Sequence, residues 1–144
     1  MIETAQRPRP GSSPGRAAPF GSGGPSSFGD FCPVDSWAPP MNIYRLADRI
    51  DVCVELAGVD RDAIEVHVEP GRLTIRGQRE APQPTVRSKG QPMRIVVMEV
   101  RHGAFCRTVA LPDHVDIPSA ESHYEDGLLW VRIPLRQATQ GRKR

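Results

Sequence analysis

The sequence predicts an all-β protein, an antiparallel sandwich or barrel, and two patterns carry this prediction. Short stretches alternate apolar and polar residues with the two-residue period of a half-buried strand. Turn signals rich in Gly, Pro and Asp separate these stretches about every eight to twelve residues, which is typical of such folds. No stretch of about ten residues carries an apolar stripe at helical spacing. With 144 residues, the chain has about the length of one domain.

Three strands are predicted in the first half of the domain. The first is Ile50–Leu56, in which every second residue from Ile50 is Ile, Val or Leu and the residues between are polar or Cys. The second, Ile64–Glu69, alternates in the same way. Pro70 and Gly71 then turn the chain into the third, Arg72–Gln78.

Four more segments have the composition of strands: Arg94–Val100, Ala104–Leu111, Ser122–Glu125 and Leu128–Ile133. The polar stretch Thr85–Pro92 precedes them and predicts a long loop. Asp126-Gly127, between the last two segments, is a strong hairpin signal because both residues tolerate positive φ.

The N-terminal segment differs from the rest of the chain. Half of residues 1–40 are Pro, Gly or Ser. Such a segment can bury too little apolar surface to offset the entropic cost of ordering it, which is ~1–2 kcal/mol per residue. We therefore predict a disordered arm over 1–38, a domain over 39–135 and a short basic tail over 136–144. Four aromatic residues nevertheless lie in the arm: Phe20, Phe28, Phe31 and Trp37. Composition leaves two alternatives open, an unselected tail or a sticky arm that docks on apolar partners.

Charge and hydropathy argue against several partners. The 19 basic residues are interleaved with 17 acidic ones, and the only concentrated basic stretch is Arg142–Arg144. Nucleic-acid binding needs clustered positive charge, so we expect no nucleic-acid partner. The longest apolar runs, such as Ile95–Met98, are far too short to span a bilayer, and no signal peptide is evident. We expect a cytoplasmic protein without a membrane partner.

The residues that carry enzyme or metal chemistry are scattered. Cys32, Cys53 and Cys106 are odd in number and form no C-x-x-C, so we predict small apolar fillers rather than a disulfide scaffold, and little dependence on their oxidation state. The four histidines show no metal-ligand spacing. Glu121, Ser122 and His123 are neighbours in the sequence, but alternation along a strand points adjacent side chains to opposite faces. We expect no catalytic residues, no metal and no cofactor.

Three stretches resemble the small heat-shock proteins, whose shared module is the α-crystallin domain. The first runs from Val52-x-Val54-x-Leu56-Ala57-Gly58-Val59 through Ile64-x-Val66 to Leu73-Thr74-Ile75-x-Gly77. The second is Phe105-Cys106-Arg107-x-Val109-x-Leu111-Pro112, and the third is Ala120-x-x-x-Tyr124-Glu125-Asp126-Gly127-Leu128-Leu129. Leu111, Pro112, Ala120, Gly127 and Leu129 are the family-motif residues. In order and spacing these stretches cover about two thirds of the chain, from Trp37 to Leu135.

The resemblance implies a seven- or eight-stranded sandwich with immunoglobulin-like packing. It also implies an ATP-independent chaperone that holds unfolding client proteins. The arm aromatics Phe20, Phe28, Phe31 and Trp37 would bind clients, as would Val66 and Val68 in a groove of the domain. In the family's bacterial and plant branch, a loop strand pairs with the partner's sheet. Here the dimer interface would comprise Arg94, Ile95, Val96, Val97, Met98 and Glu99, together with Arg107.

Two departures from the family pattern bear on assembly. Ala57 stands where the family usually has Pro, a minor change. The tail over 136–144 lacks the I-x-I/V motif that fills a neighbouring domain's groove, and Ile133-Pro134-Leu135 has the spacing but ends the final predicted strand. The tail therefore offers no such link between neighbouring domains. The rival hypothesis is a co-chaperone or adaptor sandwich that binds one defined folded partner.

Overall fold

The computed structural model describes residues 32–84 and 90–137, and it confirms the all-β prediction. The three arm phenylalanines lie outside these residues. The described chain forms seven strands: β1 (Met41–Arg45), β2 (Arg49–Glu55), β3 (Ile64–Glu69), β4 (Arg72–Arg79), β5 (Gly103–Ala110), β6 (Glu121–Glu125) and β7 (Leu128–Pro134). Two short 3₁₀ turns, Arg61–Ala63 and Ile117–Ser119, precede β3 and β6.

The strands form two antiparallel sheets that pack as a sandwich. One sheet has the order β1-β2-β7-β6 and the other the order β3-β4-β5. Alternate side chains of β2 and β7 are fully buried, because period-two alternation turns them all toward the second sheet. The core includes the motif residues Leu111, Ala120 and Leu129.

The β6–β7 hairpin turns at Asp126 (φ 52°) and Gly127 (φ 78°), as the sequence predicts. A side chain at residue 127 would also collide with the chain preceding β3, since an added Cβ would lie 2.8 Å from the Cα of Ala57. The Gly127 carbonyl accepts the N–H of Leu56 at 2.7 Å, so the same glycine joins this turn to the end of β2. Gly127 is thus required both by its backbone conformation and by close packing.

Strand β1 is absent from the sequence-based prediction. Its residues are exposed apart from half-buried Met41, so the segment shows no strong alternation of apolar and polar side chains. Its strand conformation depends on antiparallel pairing with β2, from Met41 opposite Val54 to Arg45 opposite Ile50. The missing signal reflects its position as an edge strand.

The placement of Trp37 as an exposed arm anchor is wrong. Trp37 is only 9% exposed and belongs to the core. Its N–H donates to the Ala104 carbonyl and its carbonyl accepts the N–H of Cys106, both at 3.0 Å, so that it forms a parallel bridge at Phe105 on the edge of β5. Its ring packs edge-on against Phe105 with centroids 5.7 Å apart. The ordered chain therefore begins ahead of residue 39.

The expectation that no cysteines pair is also wrong. Cys32 and Cys106 form a disulfide with their Cα atoms 5.4 Å apart, whereas Cys53 is free and buried. The two partners are 74 positions apart in the sequence, so local spacing gives no sign of the pair. Folding brings them together because the chain that leads into Trp37 lies against β5.

Candidate functional site

The most exposed apolar surface of the described chain is the segment between β4 and β5. Over residues 90–102 the structure shows no strand. Val96 is 85% and Val97 72% exposed, and Ile95, Met98 and Val100 are more than half exposed. The sequence favours a strand here, but in a single chain Arg94–Glu99 has no neighbouring strand to complete a ladder. The assignment of these six residues to a dimer interface stays a prediction.

A second exposed surface lies along β1. Among the described strands it pairs with β2 alone, so within that part of the chain its other edge presents unpaired backbone groups. Ile43 and Tyr44 are each nearly half exposed, and the Tyr44 ring stacks on Trp130 with centroids 6.1 Å apart. A cavity of about 590 Å³ opens beside this pair. An open edge flanked by apolar side chains is a physical match for an added strand.

The groove predicted for client binding lies between the edges of β3 and β6. Val66 lines a cavity of about 140 Å³ together with Ile64, Tyr124 and Leu129, and Arg61 and Ser122 complete its rim. Val68 is also half-buried against the core, but it does not line this cavity. The structure thus places one of the two predicted groove valines at the opening.

Tyr124 fixes one wall of the groove. Its hydroxyl lies 2.8 Å from the carbonyl oxygens of both Leu56 and Val59 and can donate its single proton to one of them at a time. Burial of the ring is the main reason that the pKa of Tyr124 is raised above its ordinary value. The bonded phenol holds β6 against the turn that follows β2.

We expect Tyr124→Phe to lower the free energy of unfolding by about 1–2 kcal/mol, because it leaves the Leu56 and Val59 carbonyls with one donor fewer. Urea unfolding followed by circular dichroism measures the change. Tyr44→Phe is the control, since Tyr44 is exposed and its ring stacking survives the change. Equal stability of the two variants would contradict this role for Tyr124.

The segment Ile133-Pro134-Leu135 cannot fill a neighbour's groove while the sandwich is folded. Ile133 is fully buried and Leu135 is 9% exposed. The Leu135 N–H donates to the Asp48 carbonyl at 2.8 Å, and Leu135 also bridges to Val115. Ile133-Pro134-Leu135 is therefore part of its own domain.

Arg79 joins the arm to the exposed segment. It is a buried arginine at the end of β4, and its guanidinium lies 4.4 Å from the centre of the Trp37 ring. Its Nε donates to the Arg101 carbonyl at 2.8 Å and its Nη1 to the Ala57 carbonyl at 3.3 Å. Backbone oxygens and an indole face thus surround its charge. Residue type alone gives no sign of this burial, because arginines are mostly exposed.

Arg107 lies on β5, and Ser122 and His123 are neighbours on β6. Arg107 is half-buried on β5 opposite Ile75, on the same side of the strand as Phe105 and Val109. On β6, Ser122 lines the groove, whereas the His123 ring bonds Glu125 at 2.9 Å. Burial alternates along β6, with Ser122 half-buried and His123 exposed, although Glu121, Ser122 and His123 all border one open cavity.

The outer face of the four-stranded sheet carries paired charges. Arg132 lies 3.6 Å from Asp51 and 3.5 Å from Glu121, beside a cavity of about 380 Å³ that Trp130 also lines. On the other sheet, the hydrogen bond from Arg76 holds the pKa of Glu65 below its ordinary value. In each pair an arginine and a carboxylate compensate one another's charge locally.

Among the residues that the structure describes, no group of three or more His, Cys, Asp or Glu side chains is placed to hold a metal ion. Within the same residues, no helix has the length and apolar character needed to cross a membrane.

The strand order, the Asp-Gly hairpin packed on Ala57 and the long segment between β4 and β5 define a domain of the α-crystallin class. Residues 42–144 match the model of the Hsp20/alpha crystallin family, and the chain belongs to that family. Its members are ATP-independent chaperones rather than enzymes.

Curated relatives and solved structures agree with this assignment. The chain is 30% identical over 106 residues to "Heat shock protein 16" of Schizosaccharomyces pombe, which covers 74% of this chain and 72% of the relative. It is 31% identical over 106 residues to the "18 kDa heat shock protein" of Streptomyces albus G, and the alignment covers 74% of this chain and 71% of that relative. The structure of a small heat-shock protein from Xylella fastidiosa superposes with a TM-score of 0.62 at 31% identity, covering 76% of this chain and 95% of that one.

Proposed function

We propose that this protein is a holdase: it binds unfolding proteins without ATP and prevents their aggregation. The observation that carries the proposal is the match of residues 42–144, which include nearly all of the sandwich, to a family of chaperones. The partners are unfolding clients of many kinds and a second copy of this chain, and we propose the cytoplasm as the compartment. Neither nucleic acid nor a membrane enters the proposal.

The exposed surfaces support separate sites for dimerisation and for client binding. The segment Arg94–Glu99 offers exposed apolar side chains and backbone groups without a neighbouring strand, and β1 offers an open edge. The two can therefore pair between copies of the chain. The arm phenylalanines and the groove beside Val66 then bind the client. Arg79 links both regions, because it contacts Trp37 at the root of the arm and Arg101 at the end of the exposed segment.

The activity can be tested by heating three unrelated thermolabile enzymes, each with and without this protein and without ATP. We expect light scattering to fall by more than half at a several-fold molar excess for all three. Serum albumin at equal mass concentration is the control for crowding and adsorption. Protection of none of the three would overturn the proposal. Inactivity toward all three, combined with a stoichiometric complex with one folded protein, would favour the adaptor.

The arm and the groove make different predictions about the client site. Each phenylalanine offers ~1.5–3 kcal/mol on full burial, and several anchors on one tether add through effective concentration. We expect changing Phe20, Phe28 and Phe31 together to Ser to remove most client protection, with the melting temperature nearly unchanged. Aggregation assays and thermal melts measure the two effects.

Val66→Asp is the matched groove variant, used only if circular dichroism shows a retained fold. Full protection by the triple Ser variant, together with loss of protection in Val66→Asp, would assign capture to the groove and contradict the arm assignment. Loss in the triple Ser variant alone would support the arm.

A further inference from the structure

The Cys32–Cys106 disulfide lies where the arm meets the sandwich. Cys106 is 5% exposed and alternates along β5 with the core residue Phe105, so its side chain points away from the core. Cys32 is half-buried and lies in the part of the arm next to the sandwich. Neither cysteine belongs to the cluster of side chains that forms the hydrophobic core. The bond thus fastens the root of the arm onto the outer face of a finished sheet.

A short turn separates this bond from a second, independent anchor. The Ser36 N–H and hydroxyl both donate to the Pro33 carbonyl, at 3.0 and 2.6 Å, and Val34 at the tip of the turn is fully exposed. Trp37 follows, with two backbone hydrogen bonds to β5, an indole N–H that donates to the Gly103 carbonyl at 3.2 Å, and the Phe105 ring against it. Cys32 and Trp37 therefore hold β5 from opposite faces, and only Trp37 is part of the core.

We propose that Cys32 and Cys106 form a reversible thiol–disulfide exchange site, opened by low-molecular-weight thiols such as glutathione and closed by the corresponding disulfide. The Cys32 sulfur is the point of attack, because Cys106 is buried and Cys32 is the more accessible partner. Opening the bond transfers the attachment of the arm from Cys32 to Trp37 while the sandwich stays folded.

The exchange is balanced with two molecules of thiol. A thiolate attacks the Cys32 sulfur, breaks the protein disulfide and forms a mixed disulfide, and the Cys106 thiolate that leaves takes up a proton. A second thiolate attacks the small-molecule sulfur of the mixed disulfide, releases the oxidised small molecule and leaves the Cys32 thiolate to be protonated. The protein gains two hydrogens, and two thiols become one small disulfide. Closure is the reverse sequence with the small disulfide as oxidant.

Cys53 does not compete in this cycle. It lies on β2, a strand of the other sheet, where it is buried and free. Burial also raises the pKa of its thiol, which keeps it protonated and poorly nucleophilic. The oxidised protein should therefore contain one unreactive thiol, and the open form should contain two additional ones.

The test uses the full chain, purified without reductant and then equilibrated at 25 °C with defined mixtures of reduced and oxidised glutathione. After an acid quench, denaturation and labelling with a maleimide polymer, gel shifts count the free thiols. We expect one free thiol per chain in oxidised glutathione and three in excess reduced glutathione. The circular dichroism spectrum should be the same under the two conditions. Cleavage before Asp35 by an Asp-specific protease should be at least fivefold faster in the reduced form.

Two variants, each lacking one partner of the disulfide, test the point of attack. With oxidised glutathione, Cys106→Ser should form the mixed disulfide at Cys32 at least tenfold faster than Cys32→Ser forms it at Cys106, as followed by intact mass. Cys53→Ser is the matched control and should open and close like the parent. Three free thiols in the oxidised protein, a crosslink between chains through Cys32, or opening only in denaturant that also unfolds the domain would each overturn the proposal. No client is present in this assay, so its outcome is independent of the holdase activity.

Discussion

Replacing Val97 by proline should convert the proposed dimer into a monomer without harming the sandwich. Val97 is 72% exposed, in a segment without strand structure in the single chain, so the substitution disturbs no buried contact. Between two copies, proline lacks the N–H that a ladder with β1 would need, and its ring is poorly tolerated within a sheet. Each ladder hydrogen bond that is lost with its acceptor left unpaired costs about 1–3 kcal/mol, and a symmetric dimer contains two such ladders, so we expect the dimer to be weakened roughly thirtyfold or more.

Sedimentation at micromolar concentration measures the effect, and a thermal melt checks the fold of the monomer. Val97→Thr is the matched control, because threonine keeps the N–H and the β-branched shape and should dimerise nearly normally. A Val97→Pro protein that stays dimeric would show that the subunits associate elsewhere. The outer edge of β5 is the alternative, although Trp37 already occupies that edge at Phe105.

Substituting Gly77 by alanine should strongly destabilise the domain. An added Cβ would overlap the Ala63 carbonyl oxygen and lie 2.6 Å from the Phe105 ring. Both neighbours are rigid, since one is backbone and the other is a ring buried at the centre of the core. We expect a loss of about 3 kcal/mol or more in the free energy of unfolding.

For a domain of this size, such a loss corresponds to a fall of at least about 10 °C in melting temperature. Gly71→Ala is the control. Its φ of 80° costs the alanine about 1–2 kcal/mol, but no atom lies within 4 Å of the added Cβ. Calorimetry of both variants separates overpacking from backbone strain. A Gly77→Ala protein no less stable than Gly71→Ala would show that the 3₁₀ turn before β3 can move away at little cost.

The sequence predicts the strands in which buried and exposed residues alternate. It does not predict features that depend on contacts between segments distant in the chain. β2, β3 and β4 were predicted to within a residue or two, because one face of each is packed on the core. β1 was missed because an edge strand carries no such alternation. Arg94–Glu99 has the composition of a strand but no strand beside it in one chain.

The root of the arm shows a different limit. Trp37 lies in a segment rich in Pro, Gly and Ser, and nothing local indicates that β5 will receive it. The burial of Arg79 follows from that contact, and the pairing of Cys32 with Cys106 follows from the same approach of the two segments. All three findings are long-range, so neither composition nor periodicity could predict them.

The pairing of β2 with β7 has a consequence for the timing of folding. Residues near the start of the domain find their partners near its end, from Arg49 opposite Pro134 to Glu55 opposite Leu128. The loop between them must close before these contacts form, which places the domain among slow-folding topologies of high contact order. On the ribosome, β2 stays without this neighbour until β7 has emerged. The four-stranded sheet is therefore completed only after β7 has emerged, and until then the nascent chain exposes the apolar face of β2 and the edge that β7 will cover.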